Sequence, residues 1–230
     1  MTFTRISARL AAVATTVLCS ATLLIVGIAP PAAAAPCPDV AVVFARGTDE
    51  PGGIGRVGQA FTDALQAQIP GRTVSAYGVN YPASYDFLAA QDGAIDATAY
   101  IRKIATQCPS TRFVLGGYSQ GAAVMDMLIG IPPLGNKLAA LGEKLGDVGT
   151  AAPLASDLAD QVAAVAVFGN PAAKFSNPAT SAAPPFGARA VDLCMDGDPI
   201  CSRGRNPFAH NDYEKSPFIA QAAQFAAGLV

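Results

Sequence analysis

Short apolar runs rich in β-branched and aromatic residues alternate along the chain with longer alanine-rich stretches. Val40–Ala45, Thr73–Val79, Arg112–Gly116, Val162–Phe168 and Ala188–Cys194 read as strands. Each ends in turn chemistry: Arg46-Gly47-Thr48, Asn80-Tyr81-Pro82, Gly116-Gly117, Gly169-Asn170-Pro171 and Asp196-Gly197-Asp198-Pro199. Helices are expected over Ile54–Gln68, Gly93–Thr106, Gly121–Leu128 and Pro217–Ala227, the last with Phe218, Ile219, Ala222 and Phe225 on one side. Strands alternating with helices of this length predict an α/β fold, a largely parallel sheet covered by helices on both faces. The stretch from Gly130 to Asp160 mixes Pro132-Pro133 with Leu-, Ala- and Gly-rich sequence. It reads as one or two short helices, either a surface excursion near the site or an ordinary crossover.

The N-terminal 35 residues stand apart from this pattern. Arg5 and Arg9 precede an apolar run from Leu10 to Ile28, and the small residues Ala32 to Ala35 follow. That order predicts a cleaved secretory signal peptide over 1–35, with a single domain over 36–230. A retained membrane anchor is the alternative, but Ser, Thr and Cys dilute the run and cleavage options follow it directly. No later apolar run is long enough to span a bilayer uninterrupted. The protein is expected to be exported, outside the cell or in its envelope, as a monomer without a stable membrane anchor.

Charge and cysteine content narrow the function further. With 15 basic and 17 acidic side chains the chain is slightly acidic, and loss of Arg5 and Arg9 makes it more so, which gives a nucleic acid nothing to hold. Removal of the leader takes away Cys19 and leaves Cys37, Cys108, Cys194 and Cys201, an even set that suits disulfides in an exported protein. Three pairings are open on paper, a local Cys194–Cys201 bond being the natural short loop. A structural metal fits poorly, because the spacing matches no zinc pattern and the chain has one histidine.

The chemistry begins at Gly117-Tyr118-Ser119-Gln120-Gly121, a G-x-S-x-G sequence between an expected strand and an expected helix. In that setting the serine sits exposed on a sharp turn, and flanking glycines remove side chains that would collide with neighbouring elements. A serine hydroxyl needs a base, and only His210 can supply one. It follows the last expected strand and precedes the last helix, as the chain order serine, acid, histidine requires. The orienting acid should lie in the loop after Ala188–Cys194, where Asp196 and Asp198 both qualify. Asp198 is favoured, being deeper in the Cys-bounded loop and beside Pro199. Donors for the developing oxyanion are expected from the Gln120 backbone N–H and from Thr48, through its N–H and hydroxyl. On local sequence, Thr48 serves equally well as a cap in a strand-ending turn. A thiol enzyme is disfavoured, since no cysteine sits beside the histidine.

Four motifs in order, Phe44-Ala45-Arg46-Gly47-Thr48-Asp49-Glu50, Gly116 to Gly121, Cys194-Met195-Asp196-Gly197-Asp198-Pro199-Ile200-Cys201 and Ala209-His210-Asn211-Asp212-Tyr213, closely resemble the cutinase family of serine esterases. The resemblance covers nearly all of 36–230. It implies a compact α/β hydrolase with a central five-stranded parallel sheet, usually without a large lid. It also implies a triad of Ser119, Asp198 and His210, an oxyanion hole from Thr48 and Gln120, and disulfides Cys37–Cys108 and Cys194–Cys201. The implied substrates are carboxylic esters of short to medium acyl chains or lipids, with no cofactor and no metal. Lipase or phospholipase, polyester hydrolase and acetylxylan esterase activities share the same pattern. A non-catalytic lipid-binding surface protein is the reading from outside the enzymes. Between Leu128 and Val162 the chain is longer than the most compact family members, which bears on bulky polyesters.

Overall fold

The computed structural model describes residues 36–132 and 151–230. The expected signal peptide and the middle of the Gly130–Asp160 stretch lie outside the described residues. Five strands, β1 (Val40–Ala45), β2 (Val74–Gly78), β3 (Arg112–Tyr118), β4 (Val162–Phe168) and β5 (Ala190–Leu193), form one wholly parallel sheet in the order β2-β1-β3-β4-β5. The helices are α1 (Gly55–Gln68), α2 (Ala90–Gln107), α3 (Gln120–Leu128), α4 (Ser156–Ala159), α5 (Pro171–Lys174), α6 (Pro207–Asn211) and α7 (Phe218–Ala227). The chain leaves β1 toward one edge, crosses back to β3 and then continues toward the other. The order therefore reverses between β1 and β3, the place where open α/β sheets bind ligands outside their carboxyl ends.

Alternation along the central strands sorts the core into two layers. Ala41, Val43, Phe113, Leu115, Val165 and Val167 face α2 and α3, where Ile101, Val124 and Leu128 meet them. Val42, Phe44, Val114, Ala166 and Phe168 face α1 and α7, which supply Phe61, Leu65, Ile219 and Ala222. Phe44, Phe61 and Phe168 form an aromatic cluster with centroids 5.9–6.4 Å apart. Each is fully buried, which stabilises the fold by about 1.5–3 kcal/mol per ring. A Cβ at Gly116 would run into the Phe44 ring, so that glycine is what lets the ring cross β3.

The strands expected over Val40–Ala45 and Val162–Phe168 occur with those bounds, while β3, α2 and β5 differ from expectation for identifiable reasons. β3 runs on through Gly117 and Tyr118 because Ala45 and Phe168 on its two neighbours keep pairing with it. Gly93 lies inside α2 rather than at its start, where absence of a side chain lets α2 approach Val124 of α3 closely. The helix is preceded by a 3-10 turn, Phe87–Ala89, capped by Asp86, whose carboxylate accepts the Leu88 N–H. At the sheet edge β5 is shorter than its apolar run: Gly187–Arg189 forms a 3-10 turn before it, and beyond it the Met195 N–H donates to the Tyr213 hydroxyl. Disulfides join Cys37 to Cys108, tying the segment before β1 to the end of α2, and Cys194 to Cys201, closing the loop after β5. No helix among the described residues is long and apolar enough to cross a membrane.

Candidate active site

β3 ends at Tyr118 and α3 begins at Gln120, so the whole turn is made at Ser119, which has φ 56° and ψ −118°. That conformation costs an L-residue about 1–3 kcal/mol and persists only where the surroundings enforce it. Here the Ser119 N–H donates to the Phe168 carbonyl at 2.9 Å, and its own carbonyl accepts the N–H groups of Ala122 and Ala123. Glycine is required on both sides because a Cβ at Gly117 would strike the Gly121 carbonyl and one at Gly121 the Ala45 carbonyl. The elbow is thereby pressed against β1, which brings the loop after β1 to the serine.

His210 arrives from the far end of the chain on α6, a one-turn helix started by Pro207 and by Asn206, whose side chain accepts the Phe208 N–H. His210 Nε2 lies 2.8 Å from Ser119 Oγ and Nδ1 lies 2.8 Å from Asp198 Oδ2. The ring stacks on Tyr118, with centroids 5.1 Å apart and planes 29° from parallel. The Tyr118 hydroxyl donates to the His210 carbonyl, and burial pushes that phenol up to about 12, so it remains a neutral donor. On another side is Gly169 at φ 58°, where a Cβ would lie 2.8 Å from His210 Cε1. Arg56 covers the Tyr118 ring and bonds the Asn211 carbonyl and Glu214, fastening α6 to α1.

Asp198 is fully buried within the Cys194–Cys201 loop. Burial alone would raise its carboxyl. The hydrogen bonds from His210, the Ile200 N–H at 2.7 Å and the Tyr213 hydroxyl at 2.7 Å outweigh that and hold it below the ordinary carboxylate range. Asp196, the other carboxylate in this loop, is exposed.

Thr48 does not cap α1, whose N-cap position is Ile54; its hydroxyl donates to Gln120 Oε1 at 3.1 Å, beside the elbow. Buried Arg46 shapes that loop by bonding the carbonyls of Glu50 and Tyr81, and the Glu50 carboxylate accepts the N–H of Gly47 at 2.7 Å. Among the described residues, no backbone acceptor pairs with the N–H of Thr48 or Gln120. An open groove of about 890 Å³ begins at Thr48 and passes Arg56, Gln59 and Tyr85; it touches the site at Thr48, not at Ser119. The one cluster of metal-type ligands among the described residues is Cys194, Asp198 and Cys201, and the disulfide occupies both sulfurs.

Ser119, Asp198, His210, Thr48 and Gln120 thus meet at one end of the sheet, and Asp196 stays outside the group. Sequence reasoning assigned no role to Tyr118, Tyr213, Arg46, Glu50 and Gly169, which contact or shape the site. The signal for four of them lay in the motifs themselves: Arg46 and Glu50 flank Gly47-Thr48, Tyr118 precedes Ser119, and Tyr213 closes Ala209 to Tyr213.

Comparison with known proteins agrees with this fold. The Cutinase family model matches residues 36–230. The chain is 44% identical to the phospholipase Culp4 of Mycobacterium tuberculosis over 222 residues, covering 96% of this chain and 92% of that protein. It is 48% identical to the probable carboxylesterase Culp3 of the same species over 191 residues, 82% of this chain and 68% of that one. Among solved structures it is similar to Trichoderma reesei cutinase in complex with a phosphonate inhibitor, with TM-score 0.63 at 34% identity, covering 84% of this chain and 77% of the other. An acetylxylan esterase shares the fold with TM-score 0.69 at 24% identity, covering 84% and 99%. A strained serine after the central strand, the four ordered motifs and these matches have one explanation: the chain belongs to the cutinase family.

Proposed function

We propose that residues 36–230 hydrolyse carboxylic esters through an acyl-enzyme, with Ser119 as nucleophile, His210 as general base and Asp198 as the carboxylate that orients the imidazole. Membership of the cutinase family makes the chain a carboxylic ester hydrolase; the residue roles are our reading. The observation that carries it is the continuous chain from Ser119 Oγ through the sole imidazole to Asp198, with 2.8 Å at each step. As Ser119 Oγ attacks the ester carbonyl, its proton passes to His210 Nε2. The resulting imidazolium is stabilised by Asp198, and the N–H groups of Gln120 and Thr48 receive the charge on the carbonyl oxygen. Collapse returns the proton from His210 to the departing alcohol and leaves the acyl group on Ser119. Water, activated by the same imidazole, then releases the acid.

Substrates are esters of short to medium acyl chains, including lipid esters. Supporting this, exposed Tyr85, Phe87 and Leu88 follow edge strand β2, while Ile200 and Phe208 follow edge strand β5. They lie in segments that follow strands of the same parallel sheet as Ser119, which follows the central strand, and offer apolar contact for an acyl chain. Export with removal of 1–35 fits the two disulfides, which need an oxidising compartment. The test is turnover of p-nitrophenyl esters across acyl lengths, together with fluorophosphonate labelling. Activity should peak at short to medium chains, and Ser119→Ala should lose both turnover and labelling by several orders of magnitude. Equal turnover by Ser119→Ala would sink the assignment, and a parent that neither turns over nor labels is a binding protein instead.

A further inference from the structure

We infer that Tyr213 is a positioning residue of the esterase reaction, its hydroxyl locking the Asp198 carboxylate oxygen that His210 uses. This rests on the triad reading above. The Tyr213 hydroxyl lies 2.7 Å from Asp198 Oδ2, the same oxygen that faces His210 Nδ1 at 2.8 Å. It also receives the Met195 N–H at 2.9 Å. A phenol has one proton, and the Met195 N–H can only donate, so the proton must point at the carboxylate. The direction of the bond is fixed by backbone, not by chance.

The ring cannot easily move. Tyr213 is fully buried, packed among Tyr118, Phe168 and Phe218, and edge-on to His210 at 82°. Its hydroxyl is also 3.4 Å from Cys201 Sγ. One side chain therefore touches the start of the acid's loop at Met195, its end at Cys201 and the acid itself, and it lies three residues after the base. The titratable groups around Asp198 are His210, Tyr213 and, through Tyr213, Tyr118, with Arg56 on Tyr118. Asp198 Oδ1 is held by the Ile200 N–H, so with Tyr213 on Oδ2 the carboxylate cannot rotate away when the imidazolium forms.

Tyr213→Phe keeps the ring and removes the hydroxyl. Loss of a hydrogen bond to a charged acceptor should lower kcat by about 10- to 100-fold with KM within about twofold, since Tyr213 is fully buried and presents no surface to substrate. A carboxylate that has lost a donor is the stronger base, so the Asp198–His210 couple takes up its proton more readily. The acid limb of kcat/KM should then move to higher pH, by about half a unit or more. A packing role alone would lower thermal stability and leave that limb in place. Replacing Tyr213 by 3-fluorotyrosine retains the fold and makes the phenol a stronger donor, so the limb should move to lower pH. With the parent active and Ser119→Ala dead, an unmoved limb and unchanged kcat in Tyr213→Phe overturn the inference. Should that variant not fold, an unmoved limb in the fluorinated protein overturns it. An inactive parent, or an active Ser119→Ala, overturns the triad reading instead.

Discussion

Thr48 and Gln120, 72 residues apart in the chain, are joined by a hydrogen bond of 3.1 Å from the threonine hydroxyl to the glutamine side-chain oxygen. The bond couples the loop after β1 to the residue following Ser119, the two segments whose N–H groups the proposed mechanism directs at one oxygen. Thr48→Val removes it and leaves the backbone donors free to diverge. The expected outcome is a kcat about 10- to 100-fold lower with KM little changed, read from initial rates on one soluble ester.

The two carboxylates of the β5 loop make an internal control. Asp198 is buried against His210, whereas Asp196 is exposed. Asp198→Asn should lower kcat by about three to four orders of magnitude, because the amide favours the wrong imidazole tautomer. Asp196→Asn should stay within about twofold of the parent. Comparable losses in both would remove the assignment of the acid.

At Gly169 the positive φ and the 2.8 Å approach to His210 Cε1 leave no room for a methyl group. Gly169→Ala should push the imidazole off Ser119, lowering kcat by about tenfold or more while circular dichroism still reports the native fold. Normal turnover in this variant would mean that the ring is free to move aside.

Asp126 in α3 is fully buried beside Asp192, with Asn170 donating to both. Burial, reinforced by the Asp192 charge, raises its carboxyl well above the ordinary value of 3.8 in spite of the Asn170 hydrogen bond. Below that value both folded and unfolded chains are protonated and no penalty exists. As pH rises, the unfolded chain ionises while the folded one resists, so stability is progressively lost. Asp126→Asn stays neutral throughout. Its Tm should exceed the parent's at neutral pH, by about 2–4 °C for each kcal/mol relieved, with the gap closing toward pH 4. A gap that does not vary with pH would show that Asp126 does not ionise differently on folding.

The two disulfides should separate stability from turnover. Cys37–Cys108 closes a 71-residue span remote from Ser119, worth about 4 kcal/mol on chain entropy, against about 2 kcal/mol for the seven-residue Cys194–Cys201 loop. Replacing the first pair by serine should cost more in denaturant midpoint. Replacing the second should cost more in kcat, because Asp198 lies within it.

Features that repeat over a few residues were legible before any coordinates. Val40–Ala45 and Val162–Phe168 are buried on both faces and announce it as unbroken apolar runs. Ser119, Asp198 and His210 follow from a local pentapeptide, a Cys-bounded loop and the absence of any second histidine. Favouring Asp198 over Asp196 rested on its depth in that loop and on Pro199 beside it. What escaped notice depends on contact between distant segments: Tyr118 with His210 across 92 positions, Arg46 with Tyr81 across 35, Gly93 inside a helix because Val124 stands opposite. Glycine at a strand end and glycine under a ring look alike in one dimension.

The crowding of Gly121 against the Ala45 carbonyl has a consequence for how this protein can change. A position that admits no side chain at all cannot drift, and it pins the serine to the middle of the sheet whatever happens elsewhere. Novelty in what the molecule accepts is expected at its margins, where Tyr85, Phe87 and Phe208 stand in solvent.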